Sequence, residues 1–295
     1  MDLRQLRTFR AVAELGSLSK ASDRLRIAQP ALSRQIKLLE HDLRTPLFIR
    51  HGRGMVVTEA GRMLFERTAG LMRQLEQARE DVLAASGAPS GRVVVGMVPT
   101  ISGGLAGLVA QRVVELYPQV ALRIFDAYGG FLIDLIHRGE IDMAVVYGPA
   151  TQLHLNVETL RSDDLFAIAA PGQGISQLGS ASFSDIAKRP LILPSHPHGL
   201  RALAEHAAAA ADLTLHIPVE ADSFQALVDI VAAGVGCTFL PYYAVRRHVE
   251  QGLLEAVPVS PPLSRQVVLA LPSRQGSSAA VQVVADIVRA ETRLL

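Results

Sequence analysis

The sequence predicts an α/β chain in three parts: a basic helical head, one long helix, and a body of two similar α/β lobes. Three observations carry that prediction. Residues 1–58 hold eleven Arg and Lys against five Asp and Glu, a net of +6, whereas residues 88–295 hold fourteen against eighteen, a net of −4. Between these zones Leu64, Leu71 and Ala78 recur every seven residues, with Thr68, Leu75 and Val82 each four further on, which is an a/d seam. From residue 91 onward, short β-rich runs alternate with helical patterns, the texture of an α/β domain. A length of 295 residues leaves room for more than one core. The overall charge of +1 names no partner, but a basic end on an acidic body suits a polyanion at that end only.

The head reads in order. "MDLRQLRTFRAVAELG" is a helical pattern broken by Gly16. Its scattered charges leave no apolar centre for a signal peptide, and no run in the chain is long and apolar enough to cross a bilayer, so a soluble, cytoplasmic protein is expected. "SLSKASDRLRI" (17–27) follows, with Leu18, Ala21 and Leu25 at helical spacing, and then the helical "IAQPALSRQIKLLEHDL" (27–43). Two helices joined by a short turn form a helix-turn-helix, whose second helix enters the DNA major groove with its first side chains at base edges. Gln29, Pro30, Ser33, Arg34 and Lys37 would face that groove. Gln pairs bidentately with adenine and Arg with guanine, while Ser and Lys bind phosphate. Leu32, Ile36, Leu39 and Leu43 would form the underside that holds the helix to its domain.

Ordinary amphipathic surface helices share this pattern. The preceding helix, the basic excess and "IRHGRGMVVT" just downstream weigh for DNA. In that stretch Gly52 and Gly54 flank Arg53 between short β-prone runs, a hairpin wing whose Arg suits a narrow minor groove. Ser17, Ser19 and Lys20, at the start of the first helix of the motif, and Arg50, just before the wing tip, complete the candidate DNA contacts.

Residues 58–86 read as one helix, capped by Thr58 and stopped by Gly87 and Pro89. At about 1.5 Å per residue it reaches roughly 40 Å. Its seam is narrow and flanked by Arg, Glu and Gln, which favours pairing with a helix of another chain over packing on its own domain. In the body, "RVVVGMV", "VALRIFDA" and "IDMAVVYG" read as buried strands of a parallel sheet, and "LFAIAAP", "PLILPS", "LTLHIPVE" and "GCTFLP" as a second set. Residues 131–149 echo 226–243, aligning Asp134 with Asp229 and Gly139 with Gly234, so two similar lobes are the simplest account. The single Cys237 cannot form an internal disulfide, in keeping with a reducing compartment, and reads as buried core.

The run "LRTFRAVAELGSLSKASDRLRIAQPALSRQIKLLEHDLRTPLFIRHGRGMVVTEAGRMLF" closely resembles the amino terminus of LysR-type transcriptional regulators. "GEIDMAVVYGP" and "GVGCTFLP" look like recurring segments of that family's effector domain, and "IAQPALS" with "GEIDMAVVYG" is similar to its nitrogen-assimilation-control branch. The resemblance implies a winged helix-turn-helix at 1–58 and a linker or dimerisation helix at 59–88. It implies a two-lobed, periplasmic-binding-protein-like α/β effector domain at 89–295, with lobe I at 89–162 and 264–295 and lobe II at 163–263. By the same resemblance the protein binds operator DNA as a dimer or tetramer, answers to a small anionic effector between the lobes, and has RNA polymerase as a further partner. It needs no cofactor and is not an enzyme. Base reading maps onto Gln29, Pro30, Ser33 and Arg34, and the wing contact onto Arg53. Two positions depart from the family. Ala28 replaces the usual Thr or Ser, a lost N-cap worth on the order of 1 kcal/mol. Arg44 replaces the usual Gly, so a different helix end and an extra phosphate contact are expected there.

A ligand cleft between lobes belongs at strand carboxyl ends, where helix amino termini converge. "VGMVPTISGG" ends a strand and starts a helix, offering Thr100, Ser102 and their backbone N–H groups to an anion. The resemblance places effector contacts at this turn and adds Tyr128, Tyr147, the "PSHPHG" loop with Ser195, His196 and His198, and the helix start at Ser223 and Phe224. A metal reading of "HPH" is poor, because no Cys or acidic partner stands at ligand spacing. No G-x-S-x-G, G-x-G-x-x-G, P-loop or H-E-x-x-H motif supports catalysis. An architectural DNA protein would have no use for the acidic two-lobed body, and a solute-binding protein or enzyme would leave the basic head unexplained.

Overall fold

The computed structural model describes residues 1–52, 54–84, 88–148, 155–273 and 278–295. The chain divides into two compact units, Met1–Val82 with Arg138–Glu140, and Leu83–His137 with Ile141–Leu295.

The first unit runs α1 (Leu3–Leu15), α2 (Leu18–Leu25), α3 (Gln29–Leu43), β1 (Phe48–His51), β2 (Gly54–Val57) and α4 (Glu59–Ala84). A capping box starts α1: Asp2 accepts from the Gln5 N–H while the Gln5 side chain accepts from the Asp2 N–H. Ser17 caps α2 by accepting from the Lys20 N–H. Phe9, Val12, Ala21, Leu32, Ile36, Leu39 and Leu47 form the shared core. Helical spacing alone puts Leu43 in that core, yet it is 36% exposed. The chain reverses immediately after it, and Leu47 joins the core beyond the turn.

That turn also corrects the expectation of a changed helix end. Arg44 adopts φ 52, ψ 32 and its N–H bonds back to the Glu40 and His41 carbonyls, the left-handed cap that glycine makes without Cβ strain. Arg44→Gly is therefore expected to raise the stability of this unit by about 0.5–1 kcal/mol. A urea midpoint that stays put or falls would show that the arginine side chain offsets the strain.

The wing is present. β1 and β2 pair antiparallel from Phe48 with Val57 to His51 with Gly54. Arg53 and the Arg50 side chain lie outside the described residues. Glu40 Oε1 accepts from the N–H groups of Leu47 at 2.8 Å and Phe48 at 3.2 Å, tying α3 to the start of the wing. Thr58 caps α4 by accepting from the Gly61 N–H at 3.0 Å, whereas the expected stop at Gly87 falls outside the described residues.

The seam along α4 divides. Leu64 packs on the head core with Phe65, and Thr68 is buried with its hydroxyl on the Leu64 carbonyl. Leu71, Leu75 and Val82 are exposed. The start of the seam therefore serves its own domain, where pairing with a helix of another chain was expected along the seam. Arg10 stacks on the Phe65 ring at 4.1 Å and donates to its carbonyl at 2.7 Å, joining α1 to α4.

The second unit runs β3 (Gly91–Met97), α5 (Pro99–Leu116), β4 (Val120–Asp126), α6 (Gly129–His137), β5 (Met143–Tyr147), β6 (Asn156–Ala169), α7 (Phe183–Ala187), β7 (Ile192–Leu193) and α8 (Gly199–Ala210). It continues with β8 (Val219–Glu220), α9 (Phe224–Ala232), β9 (Thr238–Pro241), α10 (Tyr242–Glu250), β10 (Glu255–Pro258), β11 (Ser264–Leu271) and α11 (Ala279–Thr292). The main sheet runs in the order β10-β6-β11-β5-β3-β4, with β9 also on β6. It is mixed, where a parallel sheet was expected. β3 is parallel to β4 and β5, but β11 is antiparallel to β5 and β6, and β6 is antiparallel to β9 and β10. Local alternation cannot report that the last strand returns between β5 and β6.

"LTLHIPVE" is corrected too. Only Val219–Glu220 is strand, paired with Ile192–Leu193. The alternation of Leu213, Leu215 and Ile217 imitates a strand, and Pro218 lacks the N–H a ladder needs. Leu215 and Ile217 still pack on a core.

β6 links the two lobes. Its residues 156–164 pair with β11, and 165–169 pair with β9 and β10. One core gathers Val95, Met97, Ile101, Leu132, Val145, Val268 and Val284. Beyond the crossing, Leu165, Ala167, Leu193 and Phe239 form another, and Ile168, Leu227, Val231 and Leu240 a third. The internal echo recurs as α6, Gly139 at φ 68 and β5 against α9, Gly234 at φ 79 and β9. Cys237 is buried, and burial pushes its thiol pKa up. No described helix is long and apolar enough to cross a membrane.

Candidate nucleic-acid interface and ligand cavity

α3 separates its residues by face. Leu32, Ile36 and Leu39 are buried, while Gln29, Pro30, Arg34 and Lys37 are exposed and Ser33 is half-buried. Helical periodicity accounts for the division, and a hydrogen bond from Thr8 to Gln35 ties the helix to α1. Ala28 supplies no side-chain cap. Pro30 in the first turn has no N–H to strand, and the Ala31 and Leu32 N–H groups reach the Ala28 carbonyl at 2.9 and 3.2 Å, which limits what the missing cap costs. Ser17 is engaged as the α2 cap, and Ser19 and Lys20 are exposed beside it. The sequence reading missed Glu40. The signal lay in an acidic residue on an otherwise basic helix, half-buried where the wing begins.

In the second unit a cavity of about 870 Å³ opens beside the starts of α5, α6, α8 and α9. Thr100, Tyr128, Tyr147, Ser195, His196, His198 and Phe224 all line it. Ser102 and Ser223 do not. Ser102 lies one turn into α5 with its N–H on the Val98 carbonyl at 2.9 Å, so the expected open donor is occupied. Ser223 serves as the α9 cap, accepting from the Ala226 N–H.

Arg265, Asp222 and Asp134 border the cavity and were not anticipated. The Arg265 guanidinium lies 3.6 Å from the centroid of the Tyr147 ring. Its Nε and Nη2 are buried and have no hydrogen-bond partner among the described residues. Both Asp222 oxygens accept from the Ser195 hydroxyl, at 2.8 and 2.9 Å, and one also accepts from the Ser195 N–H. Those bonds hold the Asp222 carboxyl below its usual pKa.

His198 caps α8, its Nδ1 accepting from the Leu200 N–H at 3.1 Å, so the neutral ring carries its proton on Nε2. Burial first, and the Arg265 charge second, push its pKa below the ordinary value. The ring meets Tyr128 edge-on, with centroids 5.6 Å apart. The His196 ring instead turns to Glu205, with Nε2 and the carboxylate 3.1 Å apart. Among the described residues no group of His, Cys, Asp and Glu is placed to hold a metal ion.

A polar chain leaves the cavity wall. Thr100 Oγ1 lies 3.0 Å from the Tyr147 hydroxyl, which lies 3.3 Å from that of Tyr243. Tyr243 donates to Asp163, and Asp163 pairs with Arg161 at 2.7 Å. Burial pushes the Tyr243 phenol far above its usual pKa, so it remains a donor.

Residues 3–62 match the family described as "Bacterial regulatory helix-turn-helix protein, lysR family", and residues 86–293 match "LysR substrate binding domain". The nitrogen assimilation regulatory protein nac of Escherichia coli (strain K12) is 31% identical over 293 residues, spanning 97% of this chain and 94% of that protein. A full-length OxyR variant from Pseudomonas aeruginosa shares the fold with a TM-score of 0.75 at 23% identity, covering 100% of this chain and 95% of its own. Full-length CbnR complexed with its target DNA does so with a TM-score of 0.74 at 17% identity, covering 99% and 100%.

Proposed function

The chain belongs to the lysR family of bacterial helix-turn-helix regulatory proteins, and on that premise we propose that α3 reads operator bases while the cavity of the second unit takes the effector. The protein is a transcriptional regulator and not an enzyme; its partners are promoter DNA, a small molecule and further copies of itself. One observation carries the assignment of α3: a side with Gln29, Pro30, Arg34 and Lys37 exposed, opposed to the buried Leu32, Ile36 and Leu39. Ser33 belongs with the base-reading set, Ser17, Ser19 and Lys20 add DNA contacts beside it, and the wing adds Arg50 and Arg53. The exposed Leu71, Leu75 and Val82 suit a second copy of α4, in a dimer or tetramer working on DNA in the cytoplasm, where RNA polymerase is a further partner.

The effector acts by binding one closure state of the two lobes better than the other, since a ligand shifts such an equilibrium only by its differential affinity. Thr100, Tyr128, Tyr147, Ser195, His198 and Phe224 are its proposed contacts, with His196 contributing to the loop. Arg34→Ala tests the DNA reading. It is expected to lose about 1–3 kcal/mol at the cognate operator and to relax base preference at one position. Titrations of operator and scrambled duplexes measure this, and equal weakening on both would contradict base readout.

A further inference from the structure

We propose that the cavity selects a monocarboxylate with an aromatic or otherwise apolar body, its carboxylate gripped side-on by the Arg265 guanidinium. This names the ligand class of the effector cavity proposed above and rests on that reading.

The grip follows from geometry. Nε and Nη2 are the two nitrogens whose N–H bonds point the same way along one edge of the guanidinium, the fork that matches a carboxylate bidentately. Both are buried, and neither has a hydrogen-bond partner among the described residues. An orphaned buried donor is destabilising, and two on one edge call for an acceptor that the described residues do not provide. Stacking on Tyr147 at 3.6 Å fixes the plane of that edge, and the Tyr147 ring is itself held through its hydroxyl beside Thr100.

Charge limits the ligand to one anionic group. Among the described residues bordering the cavity, Arg265 is the one Arg or Lys. His198 adds no positive charge near neutrality, because its Nδ1 already accepts a hydrogen bond and its surroundings disfavour protonation. Asp134 and Asp222 also border the cavity, so a second carboxylate, or a phosphate dianion, would meet like charge with one cation to share. Much of the rest of the wall is apolar, with Tyr128, Phe131, Phe224, Leu227 and Leu240 among its surfaces. A volume of about 870 Å³ suits an organic molecule of one or two rings.

The test is calorimetric titration of the full-length protein with three sets of probes. Benzoate, phenylacetate and indole-3-acetate are the acids; benzamide, phenylacetamide and indole-3-acetamide are their neutral counterparts; phthalate and homophthalate are the diacids. At least one acid is expected to bind about tenfold or more tightly than its amide and than either diacid. Arg265→Gln should weaken that acid about 10- to 100-fold. Arg265→Lys, which keeps the charge but loses the fork, should fall between and serves as the arbiter if the Gln variant does not fold. Ser102→Ala, outside the cavity, should change nothing. Amides or diacids binding as well as acids, or indifference to both Arg265 substitutions, would overturn the monocarboxylate proposal while leaving the cavity as an effector site. No binding by any set at millimolar concentration, with operator binding intact, would overturn the proposal and the cavity reading together.

Discussion

Asp163→Ala is expected to destabilise the second unit by about 2–4 kcal/mol, because it removes the buried member of a partly exposed ion pair and the acceptor of the Tyr243 hydroxyl. Asp163 is 1% exposed, pairs with Arg161 at 2.7 Å and accepts a hydrogen bond from the Tyr243 hydroxyl. It sits just before the point where β6 changes partners, from β11 to β9 and β10. Alanine would leave the partly exposed Arg161 without its ion-pair partner and the part-buried Tyr243 hydroxyl without its carboxylate acceptor. Asp163→Asn should cost less, because its amide oxygen still accepts from Tyr243 while the charge is lost. Urea denaturation followed by the fluorescence of the five tyrosines, in a chain with no tryptophan, measures both variants. If the Ala variant unfolds within about 1 kcal/mol of the parent, Asp163 does not brace the crossing. A loss confined to the Ala variant would put the burden on the Tyr243 bond and not on charge.

Gly54→Ala is expected to detach the wing, at a cost of about 3 kcal/mol or more. Gly54 has φ 141, and a Cβ placed on it would stand 2.4 Å from the Gly16 carbonyl oxygen. Strain in that backbone region costs about 1–3 kcal/mol on its own, and the overlap with backbone adds to it. The same Gly16 oxygen accepts the Met55 N–H at 2.8 Å, so the turn after α1 and the second wing strand are held in direct backbone contact. Gly52→Ala, two residues away, faces open space and is the matched control, expected within about 0.5 kcal/mol of the parent. Hydrogen exchange at the Met55 amide, with footprinting over the flank proposed for the wing, reads the effect. Undiminished Met55 protection in Gly54→Ala would mean that the contact yields without releasing the wing.

Both sites show where reading a sequence works and where it stops. The faces of α3, the cap at Thr58, the hairpin around Gly52 and the αβ echo of Gly139 and Gly234 were legible before any fold was known. Each is a local signal, written within one or two turns of chain by side-chain period, capping chemistry or the demand for a positive φ. Leu43 and "LTLHIPVE" had the right period in the wrong place, because period says which residues share a face and not whether anything covers it. Ser102 and Ser223 were close to the cavity in sequence and turned away from it by their helices.

Residues 1–58 thus read as a winged helix-turn-helix, and the strands and helices after residue 91 as α/β lobes. Tertiary structure decided the mixed order of the sheet, the insertion of β11 between β5 and β6, and with it the delivery of Arg265 onto Tyr147. That placement depends on strand pairing between distant segments, whose register is set by the packing of whole lobes. A lone arginine at the start of a β-rich run carries no mark of the cavity it will enter.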